Sequence, residues 1–380
     1  MVEGNASPGR FFPVASPDIG PLETQYVLDA LQSGWVSSMG LYVNEFEMSF
    51  AAYCEARHGV STSSGTTALH LALASLGVGP EDEVIVPALT FVATANAVRY
   101  TGATPVFIDS EPETWCMDPS ALERARTPRT RAIIVVHIYG HPADMDPILS
   151  FSTKWGIPVI EDAAESHGAL YKGRKVGAIG RMGVFSFYGN KIITTGEGGM
   201  VVTDDEGLAE RIRFLRDHAM SPERRYWHTE VGYNYRLTNL QAALGVAQLR
   251  RIDDFLARRN KILGWYRELL DIDGIVLNPA LPWASPSCWL VCALLPAAIS
   301  REDVMAKLRA RGVDTRPFFC ALNTLPPFRG QYKAIYKDGD GCPTAADLAG
   351  RGINLPTDTR FEREDVKQIV QILRKVLSDA

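Results

Sequence analysis

Residues 157–169 read IPVIEDAAESHGA: an apolar run that ends in two carboxylates, Glu161 and Asp162, and passes at once into small residues. A short apolar run without polar alternation is the pattern of a strand covered on both faces. Similar runs lie on either side of it, VIVPA at 84–88, TPVFID at 104–109, RAIIVVHI at 131–138, GVFSF at 183–187 and GMVVTD at 199–204, with helical stretches between several of them. Strands alternating with helices predict an α/β fold, a mainly parallel sheet inside a three-layer α/β/α domain. In such a sheet ligands gather beyond the carboxyl ends of the strands, which is where Asp162 falls.

Outward from this block, residues 22–31 (LETQYVLDAL) set Leu22, Tyr26, Val27 and Leu31 on one helical face, and 44–53 predict a second helix. Downstream, 239–252 and 253–272 predict long helices, the latter carrying Phe255, Ile262, Leu263, Tyr266 and Leu269. The remainder changes character. A strand at 288–295 is followed by a helix opened by Ser300 and Asp303 and closed at Gly312, a strand near 313–319 and a final helix near 362–378. The expected division is therefore an N-terminal segment and large domain over 1–252, then a bridging helix and small α+β domain over 253–380.

The 380 residues suffice for a large core, and a 46% hydrophobic, 22% charged composition excludes disordered and fibrous classes. A net charge of -5 argues against nucleic acid or an anionic membrane as the main partner, both of which call for a basic face. The six cysteines, Cys54, Cys116, Cys288, Cys292, Cys320 and Cys342, form no CxxC pair and predict neither a metal site nor a disulfide framework. No basic start leads into an apolar leader, and no stretch approaches the ~18 apolar residues of a membrane span. A cytoplasmic protein is the expectation.

Three pieces carry chemistry. Asp162 could face a cationic ring nitrogen, although a strand-end Asp also serves as a helix cap. Lys191 stands in a polar turn of GVFSFYGNKIITTGEGGMVVTD, where a desolvated lysine can lose its proton and attack a carbonyl; an exposed loop lysine is the ordinary alternative. In STSSGTTALHLAL, residues 63–67 precede a helix running from about Ala68, and Gly65, Thr66 and Thr67 offer amides and a dipole end to an anion, or simply a good N-cap.

Taken together and in order, SGTTALHLAL, VIVPALTFVATANAV, VHIYGHPADM, EDAAESHGA, FSFYGNKIITTGEGGM and GYNYRLTNLQAALG resemble the DegT/DnrJ/EryC1/StrS sugar aminotransferases of the fold type I, aspartate-aminotransferase-like class, from about Val14 to the C-terminus. The resemblance implies pyridoxal 5′-phosphate as cofactor, passing through pyridoxamine phosphate. It implies that Lys191 binds it covalently and carries the proton, that Asp162 keeps its ring nitrogen protonated and that Glu165 lies near its phenolic oxygen. It further implies Phe91 on the ring face, Gly65, Thr66, Thr67 and Ser186 around the phosphate, and Asn234 reaching the phosphate of a neighbouring subunit, hence a homodimer. His137, His141 and His167 are expected to line or support the pocket as hydrogen-bonded polar residues, with no metal.

Within the family, GWVSSMG, RRYWHTEVGYNYRLTN, DTRPFF and GINLPT are most similar to the branch that makes GDP-perosamine from GDP-4-keto-6-deoxy-D-mannose with L-glutamate as donor. On that likeness Trp35, Ser37, Tyr226, His228, Arg316 and Phe318 belong to the substrate pocket. Two departures, Asn323 in ALNTLPPFR and the SPSC before Trp289, leave a GDP-3-keto sugar or a dTDP- or UDP-linked 4-keto-6-deoxysugar as alternatives. A non-catalytic cofactor-binding regulatory protein would have lost Lys191, Asp162 or Ser186, and all three are present.

Overall fold

The computed structural model describes residues 10–329 and 341–379; the first nine residues of the Pro/Gly-rich lead-in lie outside them. Along the described chain the strands are β1 (His58–Thr62), β2 (Glu83–Pro87), β3 (Thr104–Ile108), β4 (Thr130–Val136), β5 (Val159–Asp162), β6 (Leu170–Tyr171) and β7 (Arg174–Lys175). There follow β8 (Met182–Ser186), β9 (Gly199–Thr203), β10 (Val276–Leu277), β11 (Ala284–Ser285), β12 (Val291–Leu294), β13 (Arg316–Pro317) and β14 (Gly352–Leu355).

Seven of them form one sheet in the order β1-β9-β8-β5-β4-β2-β3. The neighbours from β8 to β3 pair in parallel, as the unalternating runs predict, and β2, β5 and β8 are buried along their whole length. β9 is antiparallel to both β8 and β1. It follows β8 through residues 187–198 without a helix, and a direct return of that kind reverses the chain, whereas parallel neighbours need a crossover. That turn holds Lys191.

Local chemistry sets several boundaries away from the sequence expectation. The helix Gly65–Ser75 begins three residues before Ala68, because Ser64 and Thr67 form a reciprocal cap: the Thr67 amide donates to Ser64 Oγ at 3.2 Å and the Ser64 amide to Thr67 Oγ1 at 3.0 Å. The strand near 313–319 contracts to Arg316–Pro317, since Pro317 has no N–H with which to extend a ladder. In the helix Pro21–Gln32 the fully buried positions are Glu23 and Ala30, while Leu31 is 55% exposed. Glu23 turns inward because Arg251 and Gln248 each donate to its Oε1 at 2.8 Å, which overrides the apolar stripe.

A second sheet, β10-β12-β14-β13, is antiparallel throughout. It packs with Ile262 and Tyr266 of the helix Ile252–Leu269 and with Val366, Ile369 and Leu373 of the helix Arg363–Ser378. Phe12 joins this core, and the segment around it is held there by backbone bonds: Phe12 N–H to Gly312 O at 2.8 Å, Asp314 N–H to Phe12 O at 3.0 Å and Thr357 N–H to Val14 O at 2.7 Å. Conversely Trp289, Leu290 and Phe318 pack into the core of the large sheet. The space between the two sheets is where the chemistry-bearing residues meet.

Candidate active site

A cavity of about 450 Å³ opens at the carboxyl ends of β5 and β8. Asp162 and Ser186 are the last residues of those two strands, Lys191 enters from the turn after β8, and Gly65 and Thr66 enter from the N-terminus of the helix Gly65–Ser75. The opposite wall is built by Trp289, Arg316, Phe319 and Asn354, with Phe91 and Tyr188, each about half exposed, at the rim.

Asp162 is buried; its Oδ2 accepts from Thr94 Oγ1 at 2.8 Å and its Oδ1 from the Ala164 amide at 3.2 Å. Burial pushes its carboxyl above the usual range against those two bonds, so a cation placed there would be stabilised by an already desolvated partner. Lys191 Nζ lies 3.6 Å from Glu165 Oε1 and 3.8 Å over the Trp289 ring. Burial holds the ammonium below its ordinary range, although Glu165 and Asp162 both favour its charge, and burial pushes Glu165 up. Both shifts lead toward an uncharged amine, the form that attacks a carbonyl. Glu165 is aimed by the Tyr139 amide, which donates to its Oε2 at 2.8 Å.

The approach of the helix to β8 depends on Gly65, where an added Cβ would stand 2.8 Å from Ser186 Cβ. Glycine thus lets the first amides of the helix and the Ser186 hydroxyl border one cavity. This is a cradle for an anion, since the leading N–H groups of a helix have no partner within it. No basic residue is needed, which suits an acidic chain.

Of the residues singled out in the sequence, Gly65, Thr66, Phe91, Asp162, Glu165, Ser186, Lys191 and Arg316 border this cavity. Thr67 does not: its hydroxyl donates to Ser64 O at 2.8 Å, so the side chain is spent on the cap. Phe318 is also displaced from its expected place. It is 2% exposed and packs against Trp115 and Tyr139, and because neighbouring side chains in an extended segment point to opposite sides, Phe319 is the one that borders the cavity. Trp35, Ser37, Tyr226, His228 and Asn234 lie outside the cavity of the single chain. Tyr226 and His228 line a second concavity of about 540 Å³ with Arg225 and Arg236, and Asn234 Oδ1 accepts from Arg236 Nη2 at 2.8 Å. The Trp35 and Ser37 carbonyls accept from Asn239, at 2.7 Å from its Nδ2 and 2.5 Å from its amide.

Trp289, Asn354, Thr94 and Tyr139 take part without having been singled out. Asn354 carries the one available signal, a polar side chain inside GINL, whose four residues are all buried.

The histidines support rather than line. His137 Nε2 and Glu161 Oε2 are 3.0 Å apart with both side chains fully buried, and His141 Nδ1 meets Pro142 O at 2.8 Å. His167 packs among Phe50, Phe185 and Phe187. Burial holds His141 down to about 4 and His167 down to about 3. In the unfolded chain both titrate near pH 6.5, so below that value the unfolded state binds more protons and stability falls with falling pH. The melting temperature should therefore drop by on the order of 10 °C between pH 7 and pH 4.5, and His167→Phe, which keeps a ring among the phenylalanines, should reduce that drop. An unchanged acid dependence in the variant would remove His167 from the account.

Among the described residues no three His, Cys, Asp or Glu side chains are placed to hold a metal ion, and no helix is long and apolar enough to cross a membrane. Comparison with known proteins agrees with the geometry. The model of the DegT/DnrJ/EryC1/StrS aminotransferase family matches residues 17–374. A GDP-perosamine synthase of Caulobacter vibrioides is 44% identical over 368 residues, covering 96% of this chain and 98% of that one. The GDP-perosamine synthase of Escherichia coli O157:H7 is 42% identical, over 97% of this chain and 100% of its own. The crystal structure of DesV from S. venezuelae, in complex with a ketimine intermediate, superposes with a TM-score of 0.86 at 37% identity over 93% of each chain. A match over nearly the whole chain, together with a largely buried lysine that shares its cavity with two buried carboxylates, settles the classification: this chain belongs to the DegT/DnrJ/EryC1/StrS aminotransferase family.

Proposed function

We propose that this chain transfers an amino group from L-glutamate to the keto carbon of GDP-4-keto-6-deoxy-D-mannose, giving GDP-perosamine. The observation that carries the reading is the grouping of the largely buried Lys191 with the buried Glu165 and Asp162 in one cavity beside the anion cradle of Gly65, Thr66 and Ser186. The cofactor is pyridoxal 5′-phosphate, and when bound it supplies the electron sink for the charge left on carbon when a proton is removed. The residues fit it: a carboxylate raised by burial for a cationic ring nitrogen, an amine lowered by burial for a carbonyl, and amides and a hydroxyl for a phosphate.

In this reading Lys191 would hold the cofactor covalently, and its amine, once free, would be the group that carries a proton to and from the donor carbon. Asp162 holds the ring nitrogen protonated. Glu165 would lie on the side of the phenolic oxygen and Phe91 would offer its face to the ring, while Thr67 shapes the phosphate cradle through the cap. Arg316 meets the diphosphate of the sugar nucleotide, a pairing for which a guanidinium is well suited, and Phe318 supports that wall from behind.

Trp35, Ser37, Tyr226, His228 and Asn234 serve the site of a second copy in a homodimer. Two facts support this: Trp35 is 56% and Tyr226 74% exposed, and Met39, close to the first in sequence, and Trp227, next to the second, are exposed as well. Exposed aromatic clusters of this kind favour contact. A cytoplasmic location belongs to the same proposal.

The test is an absorbance spectrum of the purified protein with pyridoxal phosphate and glutamate, followed by mass spectrometry after separate addition of GDP-, dTDP- and UDP-linked keto-sugars. The expected outcome is a cofactor band bleached by glutamate and restored by the GDP-4-keto sugar, with its amino product. Restoration by a different nucleotide sugar alone overturns the substrate; absence of any band overturns the reaction.

A further inference from the structure

We propose that Tyr139 is a positioning residue that sets the spacing between the carboxylate facing Lys191 and the cavity wall facing the substrate, and so acts on capture of the keto-sugar rather than on amino transfer. This rests on the nucleotide-sugar aminotransferase reading above. Tyr139 does not itself border the cavity and is 2% exposed, yet its amide and its hydroxyl are each engaged with a residue that does. Its amide holds Glu165 Oε2 at 2.8 Å, and its hydroxyl accepts from the Phe319 amide at 3.0 Å with the Asn354 side chain against it. Its ring lies nearly parallel to those of Phe319 and Trp289, both at 15°, with centroids 5.3 and 6.3 Å away.

The backbone makes this double reach possible. Tyr139 stands at φ 51°, ψ 22°, a left-handed conformation that a bulky residue adopts only when its surroundings enforce it. Such outliers gather at functional sites, and here the turn directs the amide to Glu165 while the side chain extends toward β13 and β14. One rigid aromatic thereby connects the β5 end of the large sheet to the wall that carries Arg316, Phe319 and Asn354. Removing the hydroxyl alone should free that wall and leave the amide bond to Glu165, and with it the setting of Lys191, in place.

Tyr139→Phe separates the two effects. In the pyridoxal-phosphate-loaded protein it should raise KM for the keto-sugar by about two- to tenfold, the range of one or two buried neutral hydrogen bonds, with kcat changed less than about twofold. The rate of the glutamate half-reaction, followed by the bleaching of the cofactor band, should change less than about twofold as well. Equal losses in both half-reactions, or no change in either, overturn the proposal. The wild-type protein run alongside keeps the two readings apart, because failure of its own half-reactions would condemn the aminotransferase substrate reading and not the role of Tyr139. A second measurement needs no variant. Hydrogen exchange in the wild-type segment 316–322 should show the Phe319 amide protected alongside those of Phe318 and Leu322, which donate to Gly352 O and Ala88 O, and exchange at Phe319 at the rate of an exposed loop overturns the proposal even if Tyr139→Phe fails to fold.

Discussion

Lys191→Ala keeps the fold, still takes up the cofactor without a covalent link, and loses amino transfer by at least about 10⁴-fold, since one side chain supplies both the covalent anchor and the proton carrier of the proposed reaction. The fold survives because the ammonium gains little where it stands. It is desolvated, its nearest carboxylate oxygen is 3.6 Å away, and burial already holds it toward the neutral form. Deleting one member of a buried pair is costly when it strands a charge, but Glu165 is pushed up by burial and can take a proton instead. A melting temperature within a few degrees of wild type, with turnover at the assay floor, is the expected pair of results. Turnover within a hundredfold of wild type would remove Lys191 from its proposed role.

The second large effect is Asp162→Asn, a change of one atom that keeps the shape of the side chain and an oxygen to accept from Thr94. What disappears is the negative charge opposite the proposed ring nitrogen, and kcat should fall by about 10²–10⁴-fold, as when a preorganised electrostatic group is removed. Stability should move the other way. A carboxyl whose folded pKa is raised destabilises the protein once the pH climbs through that value, because its stabilising protonated form is lost. Without cofactor, then, Asp162→Asn should melt at or above the wild-type temperature at pH 8 and lose that advantage at pH 4. A variant that is both active and unchanged in this pH dependence would mean that Asp162 is an ordinary strand-end residue.

The sequence discloses the large sheet because burial on both faces writes itself as unbroken apolar runs, and IPVIED becomes β5 with Asp162 at its tip. It is nearly silent about β1 and β14: HGVST and GINL are short and contain glycine, and what makes them strands is pairing with β9 and with β12 and β13 from far along the chain. Within the site, Lys191 and Asp162 each have an ordinary reading when taken alone, and they become legible only through the order of the motifs around them. Residues whose part depends on direction are not. Phe318 and Phe319 are equivalent as letters, and only the path of the chain beyond Pro317 decides which one borders the cavity. Tyr139 is likewise a routine aromatic in VHIYGH until its left-handed backbone is seen.

The attachment of Phe12 to Gly312 and Asp314, and of Val14 to Thr357, has a consequence in time. Phe12 leaves the ribosome about 300 residues before its hydrogen-bond partners, which at ~5–20 residues per second is an interval of roughly 15–60 s. Throughout it the large sheet, whose last strand ends at Thr203, can close and pack while the segment around Phe12 waits without its docking surface. The segment around Phe12 is thus among the last parts to settle, and it joins the same core as the helix Arg363–Ser378. A nascent chain arrested before residue 312 should expose residues 10–15 to proteases that no longer reach them after release.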